Sequence, residues 1–371
     1  MVDDLIPGLL HIFIFAGFMA VSVRTVALIG RGFSSDFVLP GFGGAFGHGY
    51  LWVKDIFELF VIVGVLGFFY RRLVSKPKRV HLSTEGLVIL VLILTLMVTD
   101  FLYDGAALAT GREVGASPPG GVFLAGAFAR LPGSLAWIIG ASAYWIHVTT
   151  VLLFLNLLPL GKHFHIITAL PNIFLRRLDE PKGHLSKTDL DDESIEVFGL
   201  HNLKDLTWKQ MLDLYTCTEC GRCTSVCPAA ATGKPLSPMD ITANLRDTLY
   251  AGKYEEQIPG PVIDPEAIWS CTTCRACEEA CPVFIEYVDK IVDMRREMVL
   301  MSGQFPTEMA SAFEGIERNG NPWGFPPEDR GNWAEGLDVP VMSADPGPVD
   351  YLFWVGCAGA LDDRNKKVSQ A

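Results

Sequence analysis

The 371-residue chain is half apolar, yet 42 acidic residues outnumber 30 basic ones for a net charge of −12, and its mean hydropathy is positive. Long apolar stretches fill the first 160 residues, while most of the charge and the cysteines lie beyond Leu178, so the two halves are expected in different solvents. An acidic polar half argues against nucleic-acid binding, which needs a basic face, and tight four-cysteine groups read as metal ligands of a reducing compartment, not a secreted disulfide framework.

The chain opens Met1-Val2-Asp3-Asp4 without the basic flank of a cleaved signal, so its first apolar segment is expected to stay as a membrane helix. Four windows, 5–29, 51–70, 86–103 and 134–158, supply the roughly 20 apolar residues that cross a ~30 Å hydrocarbon core. Four spans put both ends on one side. The basic run Arg71 to Arg79 between the second and third spans, with Lys162, Arg176, Arg177 and Lys182 after the fourth, assigns that side to the cytoplasm. The glycine-rich segments 37–50 and 111–121 are expected as connectors on the far side. Arg24, Asp100 and Asp104, near the outer span ends, read as interfacial anchors.

An ionisable residue inside a span is costly and points to function. Three histidines suit haem b ligation: His11 in the cytoplasmic third of the first span, His147 in the middle of the fourth, and His165 just after it. In an unbroken helix His147 and His165 would stand about 27 Å apart, too far to share a haem, although Pro159 interrupts the connection. The expected pair is therefore His11 with His165, and His147 has no evident partner. His163 could help hold a quinone head group; His48 and His81 read as interfacial.

The segment 179–200 is charged and polar, a linker between a haem-binding membrane domain (1–178) and a cysteine domain (201–304). In that domain Cys217-x2-Cys220-x2-Cys223-x3-Cys227-Pro is followed by Cys271-x2-Cys274-x2-Cys277-x3-Cys281-Pro, two copies of the bacterial ferredoxin run. Three thiolates of one run reach one cubane and the fourth serves the other. One [4Fe-4S] cluster is thus assigned to Cys217, Cys220, Cys223 and Cys281, the other to Cys271, Cys274, Cys277 and Cys227. Zinc also favours C-x2-C pairs, but four cysteines in eleven residues, twice over, are unusual for it. The 43 residues between the runs, with helix-like stretches, favour an α-helical ferredoxin. Residues 305–348 are expected as a wrapping segment. Tyr351 to Val355 reads as a buried strand opening an α/β domain at 349–371, with Cys357 after it.

The run Leu158-Pro159-Leu160-Gly161-Lys162-His163-Phe164-His165, preceded by His147, resembles the last helix of the dihaem gamma subunit of respiratory nitrate reductase, which implies haem ligation by His147 and His165. Leu10 to Phe15 resembles the helix bearing the other two ligands. The second of these would fall at Val21, so the resemblance implies one complete haem site and leaves one or two haems open. That subunit has five spans where four are expected here. The whole arrangement, closing on Trp354-Val355-Gly356-Cys357-Ala358-Gly359 and Asp362-Asp363-Arg364-Asn365, resembles the fused iron–sulfur proteins related to membrane-bound heterodisulfide reductase, within them the electron-transfer-flavoprotein:menaquinone oxidoreductases. It implies a bacterial or archaeal cytoplasmic membrane, electron-transfer flavoprotein or another cytoplasmic redox partner as donor, and menaquinone as acceptor. Cys357 would open a cysteine-rich CCG domain completed elsewhere, in a missing part or a separate subunit; taken alone it reads as a core thiol. Alternative readings are a quinol:disulfide oxidoreductase and a non-catalytic relay subunit.

Overall fold

The computed structural model describes residues 5–34, 36–77, 82–111, 118–178, 185–342 and 347–371. His81, Lys78, Arg79 and Lys182, read above as interfacial or basic flanks, lie outside them. The chain divides into two compact units, Met1–Glu297 and Met298–Ala371. The described residues are helical with no named strand; one isolated bridge joins Pro259 to Ile263.

The first unit begins with α1 (Leu5–Arg31), α2 (Gly44–Tyr70), α3 (Thr84–Ala109), α4 (Pro119–Phe128) and α5 (Gly133–Leu157). By length and composition α1, α3 and the stretch Gly133–Leu160 can each cross a membrane. α2 is as long as α1, but Lys54, Asp55 and Glu58 interrupt its apolar run. All three are buried, while Trp52, Val53, Ile56, Leu59 and Val63 point outward. Charge inside and apolar side chains outside is the arrangement a helix needs in lipid. α1 and α2 meet at small residues: a Cβ on Gly64 would stand 2.9 Å from the Leu10 carbonyl oxygen, so the backbones themselves touch. Val21, Val61, Val65, Leu90 and Met97 fill the space between α1, α2 and α3.

Two stretches depart from expectation. The second half of the expected connector 111–121 instead starts α4, with Pro119 in its first turn, where a missing N–H costs nothing. After α5 the chain breaks at Pro159 into two 3-10 turns, Leu158–Leu160 and Lys162–Phe164, and restarts as α6 (His165–Phe174). His147 and His165 therefore sit on separate helices.

The cysteine region holds α7 (Trp208–Thr216), α8 (Arg222–Ser225), α9 (Pro228–Ala231), α10 (Pro238–Tyr250), α11 (Pro265–Trp269), α12 (Ala276–Glu279) and α13 (Val288–Arg296). Thr207 and Gln210 close a capping box at the start of α7, satisfying two otherwise unpaired N–H groups. α7 and α13 share a buried ion pair, Lys290 Nζ to Asp213 Oδ2 at 2.7 Å. α6 packs onto this region: Asn172 Nδ2 donates to the Val283 carbonyl at 2.8 Å and Thr168 Oγ1 to that of Tyr215 at 3.3 Å.

The second unit holds α14 (Ala310–Asn319), α15 (Cys357–Leu361) and α16 (Asp363–Gln370), gathered around Trp333, Ala360 and Leu361. The expected strand at 351–355 has no neighbour to pair with among the described residues, and Tyr351 and Trp354 are exposed. A strand exists only as part of a ladder. Cys357 is half-buried at the start of α15, its Sγ 3.7 Å from the Gly320 carbonyl.

Candidate functional site

Each cysteine run folds as a loop, a four-residue helix and a fourth cysteine. The two loops repeat one backbone course, with left-handed residues on both sides of the middle cysteine: Glu219 and Gly221 around Cys220, Thr273 and Arg275 around Cys274. Only Gly221 adopts this conformation freely; Glu219, Thr273 and Arg275 are held there by their surroundings. One such hold is an arginine on the helix that follows. Arg246 of α10 donates to the Cys217 carbonyl at 3.5 Å, and Arg295 of α13 donates to the Cys271 carbonyl at 2.6 Å.

The eight thiols sort into two sets, each crossing between runs. Cys217 lies close enough to Cys223 and Cys281, and Cys281 to Cys220 and Cys223, for their thiolates to repel. Cys217, Cys223 and Cys281 share a buried cluster with Met239, Val283, Ile285 and Tyr287, which Cys277 of the other set also joins. In the other set, Cys227, Cys271, Cys274 and Cys277 line one cavity together with Pro228, Pro238 and Val288. The sets adjoin where Cys277 meets Cys223.

Burial and mutual repulsion push Cys217 up to about 12 and Cys281 up to about 11. Such a donor set is at ease as thiolate only around a cationic centre. The surroundings suit an iron–sulfur cluster further. Thr273 N lies 3.3 Å from Cys271 Sγ and Ile285 N 3.4 Å from Cys281 Sγ, while the Tyr287 hydroxyl reaches Cys223. Donors of this kind set the potential of a cluster.

Of the histidines, the fold brings His11 and His165 face to face, with ring centres 6.4 Å apart and planes inclined by 31°. With metal–imidazole bonds of about 2 Å, two rings at this separation would fit a single iron held between them. The Nδ1 of His165 lies 2.7 Å from the Lys162 carbonyl, which accepts that N–H and leaves Nε2 as the free ligating nitrogen. Burial pushes this imidazole down to about 4, so it is neutral near pH 7. His163 Nδ1 is 3.0 Å from Glu85 Oε1 and its ring centre is 6.2 Å from that of His165. His147 is buried on α5 with Nδ1 3.1 Å from Thr99 Oγ1, and its Nε2 has no hydrogen-bond partner. His48 is exposed near the start of α2.

The two halves of the site meet at Glu219. Its carboxylate, in the loop between Cys217 and Cys220, pairs with Lys162 at 3.2 Å and with Arg246 at 2.5 Å, and Lys162 Nζ also donates to Ser83 Oγ at 2.5 Å. One turn beyond His165 on α6, Ala169 packs against the Cys217 cluster. Sequence reasoning missed Glu219, Arg246, Arg295 and Tyr287; only their closeness to the cysteine runs could have drawn attention to them.

It also missed a group of buried charges between the helices. Arg24, Asp100 and Asp104, read as interfacial anchors, are instead buried and bonded to one another and to Lys54. The reason is mutual neutralisation, which lets charges leave water together.

Residues 213–285 match the model of the 4Fe-4S dicluster domain family. The chain is 34% identical, over all of its length, to the probable iron-sulfur-binding oxidoreductase FadF of Bacillus subtilis, and 32% identical, over 99% of it, to the EtfAB:quinone oxidoreductase of Syntrophomonas wolfei. It spans 59% and 57% of the lengths of those two relatives. Half of it is 39% identical to a probable membrane-anchored ferredoxin of Chromohalobacter salexigens, covering 31% of that protein. No solved structure matches. Residues 213–285 thus carry a 4Fe-4S dicluster domain, and parts of the chain are also similar to heterodisulfide reductase subunits of Methanosarcina mazei, at 33% identity over 23% of it and 29% over 43%.

Proposed function

We propose that the chain carries electrons between a cytoplasmic donor and membrane menaquinone, with electron-transfer flavoprotein as the donor. The facing rings of His11 and His165, placed beside a cysteine loop, are the observation that carries this reading. In it, α1, α2, α3 and α5 cross a bacterial or archaeal membrane as a nitrate reductase gamma-like haem domain (1–178). Residues 201–304 form a two-cluster ferredoxin domain on the cytoplasmic side, after a linker at 179–200. The wrapping segment 305–348 leads into an α/β cysteine-rich domain that opens at 349–371. The printed names of the FadF and EtfAB:quinone oxidoreductase relatives support an oxidoreductase linked to quinone.

In this reading Cys217, Cys220, Cys223 and Cys281 hold one [4Fe-4S] cluster and Cys271, Cys274, Cys277 and Cys227 the other, and the closeness of the thiols within each set supports it. His11 and His165 hold one haem b. Bound clusters and haem supply one-electron transfer. The protein's part is placement: Glu219, Lys162 and α6 fix the first cysteine set against the His165 turn, and Tyr287 and backbone N–H groups adjust the thiolates. A second reading, quinol-driven reduction of a disulfide, is favoured only by the similarity to heterodisulfide reductase subunits.

Iron, acid-labile sulfide and haem b per chain, with EPR of the reduced, detergent-purified protein, test the proposal. About eight non-haem irons and a haem b lost in His11→Ala are expected, with menaquinone reduced by reduced electron-transfer flavoprotein. Zinc in place of iron, or haem retained in that variant, would overturn it.

A further inference from the structure

Six ionisable side chains are sealed between α1, α2 and α3. Arg24, Lys54, Asp55, Glu58, Asp100 and Asp104 are all 4% exposed or less. Lys54 Nζ stands at the centre, 2.5 Å from Asp100 Oδ2, 3.0 Å from Asp104 Oδ2, 3.0 Å from Asp55 Oδ1 and 3.2 Å from Glu58 Oε2. An ammonium has three N–H donors for these four carboxyls. Arg24 pairs with Asp100 at 3.2 Å and with Asp104, and Asp55 accepts the Gly120 N–H at 2.7 Å.

Glu58 is the member left over. Neither of its oxygens accepts a hydrogen bond, and its carboxyl lies within hydrogen-bonding reach of that of Asp100. Two carboxyls can bond to each other only through a proton on one of them. The charge count agrees: Arg24 and Lys54, with Arg31 beside Asp104, are three cations against four carboxyls, one carboxyl in excess whenever His147 on α5, which also faces Asp100, is neutral. The other titratable neighbours are the phenols Tyr50 and Tyr103. An unbalanced carboxylate in hydrocarbon surroundings is too costly to persist.

The group has a way out. Arg24 and Tyr50 line a cavity of about 100 Å³ together with Arg31 and His48, and His48 is exposed. This cavity lies at the ends of α1 and α2 opposite His11 and the cysteine loops.

We propose that the Glu58–Asp100 pair holds an exchangeable proton and is the proton-transfer site of the membrane domain, opening to water through the cavity at Arg24, Arg31, His48 and Tyr50. The proposal rests on the quinone reading. Reduction of one quinone takes up two electrons and two protons. The electrons come from the cytoplasmic donor of the proposed function, and each proton comes in turn from Glu58: its O–H bond breaks as a quinone oxygen takes the proton, Lys54 holds the carboxylate, and bulk water reached through the cavity returns a proton before the second transfer. Quinol oxidation runs the same transfer in reverse.

Infrared spectroscopy of the detergent-purified chain at pH 7 tests it, with Glu58→Gln and Asp100→Asn alongside. The expected result is a carboxylic-acid C=O band that shifts in deuterium oxide and is lost in Glu58→Gln, with quinone turnover reduced at least tenfold and haem content unchanged. Absence of the band in the wild-type chain overturns the proposal whether or not either variant folds. So does a band that survives both substitutions, or full turnover once the band is gone. Missing haem and clusters would instead sink the electron-transfer reading and leave the band in place.

Discussion

Lys162 Nζ lies 3.2 Å from Glu219 Oε2, and this ion pair joins the turn that carries His165 to the loop that carries Cys217 and Cys220. Glu219 also holds Arg246, which grips the Cys217 carbonyl. Removing the lysine leaves Glu219 its bond to Arg246, whereas Glu219→Gln takes the countercharge from two buried cations. We expect Lys162→Ala to cost about 1 kcal/mol and Glu219→Gln about 2–3 kcal/mol. Denaturant unfolding of the detergent-solubilised chain measures both. Equal losses would mean that Arg246 does not depend on Glu219.

The crossed cysteine sets make a pairwise prediction. Cys281→Ser and Cys220→Ser, from different runs, should abolish the same EPR signal of the reduced protein, and Cys227→Ser and Cys274→Ser should both abolish the other. If Cys281→Ser and Cys274→Ser removed the same signal, each run would hold its own cluster and the sorting would be wrong.

Tyr287 is buried in the first cysteine set with its hydroxyl at Cys223. A hydrogen bond donated to a thiolate sulfur favours the more negative, reduced cluster. Tyr287→Phe removes that donor and little else. At about 1 kcal/mol for the bond, the potential of that cluster should fall by roughly 40 mV for a one-electron couple, with the other cluster unmoved. A redox titration followed by EPR decides it; an upward or equal shift of both signals would exclude the bond.

Much of this was legible because spacing encodes it. Four cysteines in eleven residues set out two loops of one shape, and two histidines at one end of two apolar windows are a pair that the helices bring within 6.4 Å. The buried charges were not legible. Averaged hydropathy over residues 51–70 hides Lys54, Asp55 and Glu58, and burial of a charge depends on partners 46 residues away on another helix. Arg24, Asp100 and Asp104 read as interfacial anchors for the same reason. The strand expected at Tyr351 to Val355 failed in another way, since its pattern is apolar but a strand also needs a neighbour.

The close contact at Gly64 links packing to the position of His11, one of the two ligands of the proposed haem. The Gly64 α-carbon faces the Leu10 carbonyl, and an added Cβ would stand 2.9 Å from that oxygen and equally close to Ile14 Cγ1. Leu10 precedes His11, so α1 cannot yield there without moving the imidazole. A histidine that held the proposed haem would tolerate little displacement, because a metal–imidazole bond is short and the ring nitrogen would have to point at the metal. Gly64→Ala should therefore lower haem retention severalfold and alter the reduced haem spectrum, although alanine is the better helix former by about 1 kcal/mol. Gly126 on α4 has open space where its Cβ would be, so Gly126→Ala should leave haem content untouched. Haem-to-protein ratio after purification is the measurement. Full occupancy in Gly64→Ala would show that the α1–α2 contact does not position His11.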